Sequence, residues 1–341
     1  MLLREYVSDR ADQILPPFIH VSTPAYAGTQ SEGFSDTVRA LVSQIGVVRL
    51  TPEPREETVN LLPTMLSPED LRHLREFAEG FGLKCTILPD YSESLDGGDW
   101  EAYEKLPPGG TSVEAIREMP SARASIEFSS AQETAGTWLE SEGQVPLFQL
   151  PLPVGVQGSD TLCSALERIS GRTPPQWLVA ERGRLVDAYL DGHKYVFGKR
   201  VIVFGEPELV VGLTAFCLEV GMVPTAIASG GGQKSLQRAL EQSKTVLPST
   251  TTVLDDVDFD FLESRARELE PDLLLGSSKG LGMSRNLNCP LLRVGFPIHD
   301  RFGGARILHV GYRGAMHLFD TIVNTFLAAK QAKAPVGYTY L

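Results

Sequence analysis

Side chains that could hold a metal or act as nucleophiles are widely spaced along this chain. The four cysteines lie more than 50 residues apart and form no Cys-x-x-Cys pair: Cys85, Cys163, Cys217 and Cys289. The six histidines form no His-x-x-x-His or His-Glu-x-x-His pair: His20, His73, His193, His299, His309 and His317. This spacing predicts neither a disulfide framework nor a zinc or iron–sulfur site. We therefore expect core thiols and structural or surface histidines in a reducing compartment.

Three short loops contain glycine and could bring backbone N–H groups to an anion. Gly205 joins an apolar strand to a helix that begins at Pro207, but Gly-x-Gly-x-x-Gly is missing, so an ordinary turn is favoured over a dinucleotide site. Residues 230–235 end in Gly-x-Lys-Ser, but Gln233 separates the last glycine from the lysine, which predicts a flexible turn and not a phosphate loop. Residues 276–280, Gly-Ser-Ser-Lys-Gly, follow an apolar strand and are the best candidate for the lip of a ligand pocket.

Two clusters of charged residues have ordinary structural interpretations. His299, Asp300 and Arg301 lie on a turn after a buried strand, but no Ser or Cys nucleophile stands at a motif-defined place beside them. This disfavours a hydrolase. Arg184 and Asp187 are three residues apart on a predicted helix, so we expect an ion pair on a solvated helix face. Neither cluster predicts a catalytic residue.

The overall composition excludes several classes of protein. With 341 residues and 42% hydrophobic side chains, the chain is long enough for two or three folding units. Lys and Arg number 31 against 43 Asp and Glu, and the net charge of −12 argues against nucleic acid or an anionic membrane as the main partner. The charged N-terminus and the lack of an apolar run of about 18 residues predict a cytoplasmic protein outside the membrane.

Alternating strand and helix patterns position these loops. In the first half, we predict strands at 18–22, 59–62, 85–88 and 124–128, and helices at 34–44, 67–81 and 131–140. A polar excursion over 90–110 and a segment with three prolines over 145–156 interrupt the alternation. The pattern indicates parallel βαβ units.

A second alternation follows two helices, predicted at 159–169 and 175–195. Its strands are predicted at 200–204, 224–228, 251–254, 272–275 and 291–294, and its helices at 207–220, 236–242 and 259–269, before a last helix at 314–330. We therefore predict an α/β protein with multiple Rossmann-like, doubly wound parallel sheets. The predicted parts are a first α/β domain (1–155), a helical connection (156–198), a second Rossmann-like domain (199–295), and a C-terminal loop, helix and tail (296–341).

Several stretches, in a fixed order, carry a family resemblance. The main ones are Glu-Arg-Gly-Arg-Leu-Val-Asp at 181–187 with His193, Gly-Lys-Arg-Val at 198–201 with Gly-Glu-Pro-Glu-Leu at 205–209, and Leu-Arg-Val-Gly-Phe-Pro-Ile-His-Asp-Arg at 292–301. Val-Ser-Thr-Pro at 21–24, Pro-Gly-Gly-Thr at 108–111 and Gly-Tyr-Arg-Gly-Ala-Met at 311–316 add support. Together they resemble the beta-type chains of nitrogenase component 1, which include the molybdenum–iron protein beta chain and its relative in the cofactor-assembly scaffold.

The resemblance implies a subunit that pairs with a homologous alpha-type chain in an α2β2 tetramer. In the catalytic complexes of that family, an ATP-dependent iron protein delivers electrons to an iron–sulfur cluster shared between the two chains. The alpha chain holds the molybdenum–iron cofactor to which these electrons pass. The implied function is nitrogen fixation by a hetero-oligomeric oxidoreductase.

Two departures from the family pattern bear on the role of the chain. The cluster cysteines of beta chains lie upstream of the region matched by residue 1, and none of the four cysteines here occupies a cluster-ligand motif. We therefore expect an N-terminally truncated chain that alone binds no metal or cofactor, has no catalytic residue and is inactive. Ala25 stands at a position that can be a cluster-binding serine in catalytic beta chains, which favours the scaffold interpretation.

Other features favour a catalytic beta chain, which is the preferred interpretation. Residues 335–341 and the insert at 90–110 resemble short catalytic beta chains. The alternatives are a cofactor-assembly scaffold subunit or a non-enzymatic truncated homologue and, in a different class, a nucleotide or sugar-nucleotide enzyme that uses the loops at Gly205 and Gly276. With the cluster segment missing, residues 21–33 should be exposed, so the isolated chain should self-associate and gain solubility from an alpha-type partner.

Overall fold

Two parallel sheets carry the fold. The computed structural model describes residues 17–23, 29–48, 55–99, 102–103, 105–232 and 234–333. Its sheets have four and five strands, and every strand pair in them is parallel. Because parallel neighbours need crossover connections, helices cover the sheet faces. The predicted α/β class with Rossmann-like parallel sheets is confirmed.

The first sheet is built from the first half of the chain. Its unit comprises α1 (Gln30–Ile45), β1 (Arg55–Leu62), α2 (Pro68–Gly80), β2 (Lys84–Ile87), α3 (Ser92–Leu95), α4 (Val113–Glu118), β3 (Ala122–Glu127), α5 (Ala135–Ser141) and β4 (Leu147–Gln149). The strand order is β2-β1-β3-β4. Helix α2 begins where the sequence predicts, because the Ser67 side chain caps the backbone N–H of Asp70 and Pro68 occupies the first turn.

The second sheet follows a helical pair. The elements are α6 (Gly155–Ser170), α7 (Gln176–Val196), β5 (Arg200–Phe204), α8 (Pro207–Glu219), β6 (Val223–Ser229), α9 (Ser235–Ser243), β7 (Thr252–Asp255), α10 (Phe259–Leu269), β8 (Leu273–Gly276), α11 (Leu281–Leu287), β9 (Leu291–Arg293) and α12 (Gly311–Lys333). The strand order is β7-β6-β5-β8-β9. The chain proceeds outward in opposite directions from the neighbours β5 and β8, and this arrangement opens a cleft at their carboxyl ends.

One hydrophobic core joins both sheets and the helices between them in sequence. It includes Phe77 and Phe81 of the α2 region, Phe216 of α8 and Phe319 of α12, all fully buried. Helix α12 packs on α6 and α7, so the end of the described chain closes a helical layer. The four-part domain division stays a prediction. In the part of the chain that the structure describes, no helix combines the length and apolar character needed to cross a membrane.

Several local predictions were wrong or incomplete. Residues 18–22 are irregular and not a strand, because the Gln44 side chain donates to His20 O (2.8 Å) and accepts from His20 N (3.0 Å), which occupies groups that a strand ladder would use. Strand β4 was not predicted, because it has only three residues and lies among prolines. Helix α11 was not predicted either, because glycines flank its first residue, Leu281.

Candidate functional site

A cleft opens at the carboxyl edge of the second sheet, where β5 and β8 lie side by side. Its volume is about 560 Å³, and it is lined by the loops after β5, β6, β8 and β9 and by the start of α10. Doubly wound sheets bind ligands at this position. Gly205 and residues 277–279, which the sequence singled out separately, both line the cleft. We treat it as the candidate functional site.

Two glycines of the 276–280 loop serve the packing of Phe204. A Cβ atom on Gly276 would lie 2.2 Å from Phe204 Cε2, and one on Gly280 would lie 2.4 Å from Phe204 Cζ. Side-chain carbons do not approach this closely, so the buried Phe204 ring, which lines the cleft, requires glycine at both places. The glycines therefore shape the cleft through this ring.

The end of the cleft at α8 is acidic. Glu206 is the N-cap residue of α8 and makes no side-chain capping hydrogen bond, and Pro207 occupies the first turn. Within the described part of the chain, the Glu206 carboxylate has no hydrogen-bond or ion-pair partner. Burial and the nearby charge of Glu208 raise its pKa. A helix N-terminus normally attracts an anion, but here a carboxylate stands in front of it and Pro207 removes one N–H donor. The geometry thus disfavours a dinucleotide phosphate at this end.

The opposite wall carries hydroxyl and basic groups on a fixed loop. Lys279 follows β8 and His299 follows β9, and the backbone N–H of His299 donates to Ser278 Oγ (3.1 Å). Arg293 holds Asp300 in a fork, with Nε to Oδ1 at 2.9 Å and Nη2 to Oδ2 at 2.7 Å. Hydrogen bonds from Arg293 lower the pKa of Asp300 to about 2. Because Asp300 is committed to Arg293, the charged turn positions the loop and does not form a hydrolase site.

A buried carboxylate–imidazole pair supports this wall from behind. Asp70 and His309, which are 239 residues apart, are both almost fully buried. Asp70 Oδ1 accepts from the backbone N–H groups of His309 (2.7 Å) and Val310 (3.1 Å), and Oδ2 lies 3.3 Å from His309 Nδ1. His309 Nε2 accepts from the N–H of Gly295, a cleft residue (3.4 Å), so Nδ1 carries the proton. Burial would raise the pKa of Asp70, but the hydrogen bonds from His309 and Val310 outweigh it and lower the pKa.

The 230–235 loop supports the prediction of a turn over that of a phosphate site. Lys234 has a left-handed backbone conformation (φ +59°) immediately before α9. Asp255 Oδ2 accepts from the backbone N–H groups of Leu236 (3.2 Å) and Gln237 (3.4 Å). The position that an anion would take at the N-terminus of α9 is thus filled by the protein's own carboxylate. Gln233 lies outside the described residues.

The predicted ion pair between Arg184 and Asp187 does not form among the described residues. Both side chains are exposed on α7. The neighbouring Arg182 does pair, because it faces α6: its Nε and Nη2 donate to Asp160 Oδ1 (2.8 Å) and Oδ2 (2.9 Å). The contact between helices therefore uses Arg182, while Arg184 and Asp187 stay in solvent.

The four thiols are free and separate from one another. Cys163, Cys217 and Cys289 are buried and Cys85 is half-buried, in keeping with the predicted core positions. Burial raises the pKa of Cys85, Cys163 and Cys289 to about 11, and that of Cys217 further still. Protonated thiols are poor metal ligands. Within the described ranges, no three His, Cys, Asp or Glu side chains are grouped so as to hold a metal ion.

Some residues that the resemblance singles out lie outside the described residues. They include Pro24, Ala25 and Gly28, as well as residues 335–341. The described chain resumes at Thr29, whose side chain caps α1 by accepting from Glu32 N (3.1 Å). The predictions about Ala25 and about exposure of residues 21–33 therefore stay predictions.

Comparison with known proteins gives consistent matches. The family model described as nitrogenase component 1 type oxidoreductase matches residues 1–327. The nitrogenase molybdenum-iron protein beta chain of Clostridium pasteurianum is 29% identical over 311 residues, which cover 91% of this chain and 67% of that protein. The nitrogenase iron-iron protein beta chain of Rhodobacter capsulatus is 31% identical over an alignment of 343 positions that covers 96% of this chain and 73% of that protein.

The solved structures agree with the sequence matches. The structure of nitrogenase Cp1 at pH 6.5 superposes with a TM-score of 0.89 at 27% identity, covering 99% of this chain and 75% of that chain. This chain therefore corresponds to a large part, but not the whole, of these relatives. The family match over nearly all of its length, with beta chains as relatives, shows that the chain belongs to the nitrogenase component 1 type oxidoreductase family and is of its beta type.

Proposed function

We propose that the chain works as the beta-type subunit of a component 1 oxidoreductase in nitrogen fixation. It pairs with a homologous alpha-type chain, and an ATP-dependent iron protein supplies electrons that pass through a shared iron–sulfur cluster to the cofactor of the alpha chain. The observation that carries this proposal is the extended similarity to nitrogenase beta chains of both the molybdenum-iron and iron-iron types. The superposition on nitrogenase Cp1 supports the same role.

The described residues do not fit an iron–sulfur cluster by themselves. Cluster iron binds clustered thiolates, whereas the four thiols here are separate, and the pKa of each is raised by burial. Cluster ligands in the working complex must therefore come from outside the described residues, including from the partner subunit. No electron-transfer step is assigned to a residue of this chain.

An apolar stripe on α7 supports assembly with a second copy of the chain. Val179, Val186 and Leu190 are 50%, 36% and 76% exposed, and Gly183 stands between them with open space where its side chain would be. The spacing of four, three and four residues is that of a helix-packing seam. A helix with such a seam packs closely on a copy of itself, and the glycine permits close approach. An α2β2 assembly brings two beta-type chains together and so provides this partner.

The seam is flanked by exposed side chains of both charges. Arg184 and Asp187 lie beside it, and Asp191 and Lys194 follow within the next two turns. Among the described residues, none of the four takes part in an ion pair. The mixed signs match neither a strongly acidic nor a strongly basic partner surface.

Co-expression with an alpha-type component 1 chain tests the proposal. With an affinity tag on the alpha chain alone, we expect the two chains to co-purify in equal amounts, as measured by native mass spectrometry. An unrelated Rossmann-fold protein expressed in place of this chain is the control. Absence of a complex at micromolar concentrations contradicts the proposal.

A variant of the seam tests the contact between beta-type chains. Leu190→Glu places a charge at the most exposed apolar position and should convert the assembly from two alpha–beta pairs to one, as measured by light scattering after size exclusion. Val246→Glu is the matched control, because Val246 is also exposed (86%) but lies away from α7. An unchanged mass for Leu190→Glu excludes α7 from the interface.

The cofactor-assembly scaffold is the second candidate, because a scaffold of beta-type chains shares the same family and the same fold. Genetic complementation distinguishes the two roles. A catalytic subunit should restore nitrogen-dependent growth to a strain without its component 1 beta chain, whereas a scaffold subunit should restore it only to a strain without the scaffold. ATP-dependent acetylene reduction by the purified complex measures the catalytic role directly.

A further inference from the structure

We propose that the cleft at the carboxyl edge of the second sheet binds a small organic anion that carries hydroxyl groups, such as a sugar phosphate. The anionic group lies toward Lys279 and His299, and the hydroxyl groups lie toward Glu206. This site is separate from the pairing and electron transfer proposed above, so either proposal can fail without the other.

The cleft has the size and wall chemistry of a small-molecule site. Its volume of about 560 Å³ lies within the usual range for ligand pockets, roughly 300 to 1,000 Å³. Apolar side chains form much of the lining, among them Phe204, Leu209, Phe259 and Phe296. A few polar groups converge on it, which is the arrangement that orients a ligand.

Glu206 supplies the acceptor for hydroxyl groups. It lines the cleft, its carboxylate is partly buried, and it lacks a hydrogen-bond partner among the described residues. A partly buried carboxylate without donors is unfavourable until a ligand provides them. Hydroxyl groups of a sugar provide such donors, whereas a phosphate placed here meets a like charge and a proline without an N–H.

Lys279 and His299 supply the anion-binding end. Both side chains are exposed at the cleft and neither has an ion-pair partner within the described residues. Ser277 lies beside them with no hydrogen bond to its hydroxyl among those residues. The strands β5 and β8 pair with Phe204 opposite Gly276, so Glu206 and Lys279 follow neighbouring strand ends. A ligand in the cleft therefore meets the Glu206 carboxylate on the loop after β5 and the basic side chains on the loops after β8 and β9.

The wall that carries His299 is fixed before any ligand arrives. The fork between Arg293 and Asp300 anchors the turn, and the Gly295 N–H donates to the buried His309. The Phe296 ring also stacks on Tyr91, with centroids 5.8 Å apart and planes at 14°. A site held in this way loses little conformational entropy on binding.

Isothermal titration calorimetry with ribose 5-phosphate as the probe tests the proposal on the full chain. Ribose and inorganic phosphate, each alone at the same concentration and ionic strength, supply the two halves of the chemistry, and citrate replaces the phosphate by carboxylates. We expect ribose 5-phosphate to bind more tightly than either half. If citrate binds more tightly than ribose 5-phosphate, the ligand is still a small organic anion with hydroxyl groups, and its anionic group is a carboxylate.

Two variants assign the ends of the site. Glu206→Gln and Lys279→Met should each weaken binding of the tighter probe by about tenfold or more, because each removes a hydrogen bond to a charged group. Lys330→Met, at an exposed position on α12, is the control and should bind like the parent. The proposal is overturned if neither ribose 5-phosphate nor citrate binds more tightly than phosphate alone. It is also overturned if all three variants bind the probe equally well. An unchanged melting temperature shows that each variant is folded.

Discussion

Replacement of Asp70 should destabilise the protein more than any surface acid. Its carboxylate accepts hydrogen bonds from the N–H groups of Ser67 (3.2 Å), His309 (2.7 Å) and Val310 (3.1 Å), and His309 Nδ1 lies 3.3 Å away. It thereby joins the start of α2 to the segment that leads into α12. Asp70→Ala leaves these buried donors without an acceptor.

The magnitude follows from the number of donors and their burial. An unsatisfied buried donor costs about 1–3 kcal/mol, and because Asp70→Ala leaves several such donors their summed cost is about 3–5 kcal/mol. We expect the larger figure for Asp70→Ala, with a melting temperature lower by on the order of 10 °C. Asp70→Asn keeps one acceptor oxygen and should lose about half as much free energy of unfolding.

The pH dependence identifies the carboxylate as the cause. The pKa of Asp70 in the folded chain is lowered, so its stabilisation is present above the unfolded value of about 3.9 and is lost as the pH falls through the folded value. The difference in melting temperature between the parent and Asp70→Asn should therefore shrink from neutral pH to about pH 3. Asp320→Asn, on the exposed face of α12, is the control. A loss no larger than that of Asp320→Asn, or one that is constant with pH, refutes the reasoning.

Three further predictions concern the thiols, the cleft wall and the first sheet. Because burial raises the pKa of each thiol, the native chain should react slowly with a thiol reagent at mild alkaline pH and release four equivalents only after denaturation; fast reaction of the native protein contradicts this. Arg293→Ala removes the fork on Asp300 and leaves its carboxylate the longer contact with Arg301 Nη1 (3.3 Å), so hydrogen exchange in residues 294–303 should quicken while exchange in the first sheet does not change. Burial raises the pKa of Glu127 in the folded chain, so ionisation of this side chain lowers the free energy of unfolding as the pH rises. The parent should therefore lose more stability than Glu127→Gln between about pH 4 and neutrality. Parallel pH profiles of the two proteins contradict this.

The elements of the second sheet could be predicted well because local signals agree there. Strand β5 and helix α10 have the predicted bounds, and α8 begins at the predicted Pro207. Short apolar runs alternate with helical patterns in this region, and Asp258 caps α10, so the strand and helix signals agree. Strand β4 and helix α11 lack such signals, since one is three residues long and the other lies among glycines.

The site could be predicted only in part, because its contacts join distant positions. The loop at 276–280 was expected to border a pocket from its place after an apolar strand, and it does line the cleft. The pairing of Asp70 with His309 has no sequence signal, since the local pattern assigns Asp70 only to the capping box of α2. Likewise, the sequence does not indicate that Gly276 and Gly280 are glycines because they contact the Phe204 ring.

The residues that line the cleft argue against a dinucleotide-binding enzyme, whereas the fold alone does not. A doubly wound sheet opens a cleft beside its central strands whatever the protein does, so the fold alone leaves a nucleotide enzyme as an alternative. Dinucleotide sites place a glycine-rich turn and free N–H groups before the first helix, so that the pyrophosphate meets positive potential. Here Glu206 and Pro207 occupy that turn, and the carboxylate repels a phosphate. The proposed anion is therefore placed with its charge toward Lys279 and away from the N-terminus of α8, whereas a dinucleotide would place its pyrophosphate at that helix end.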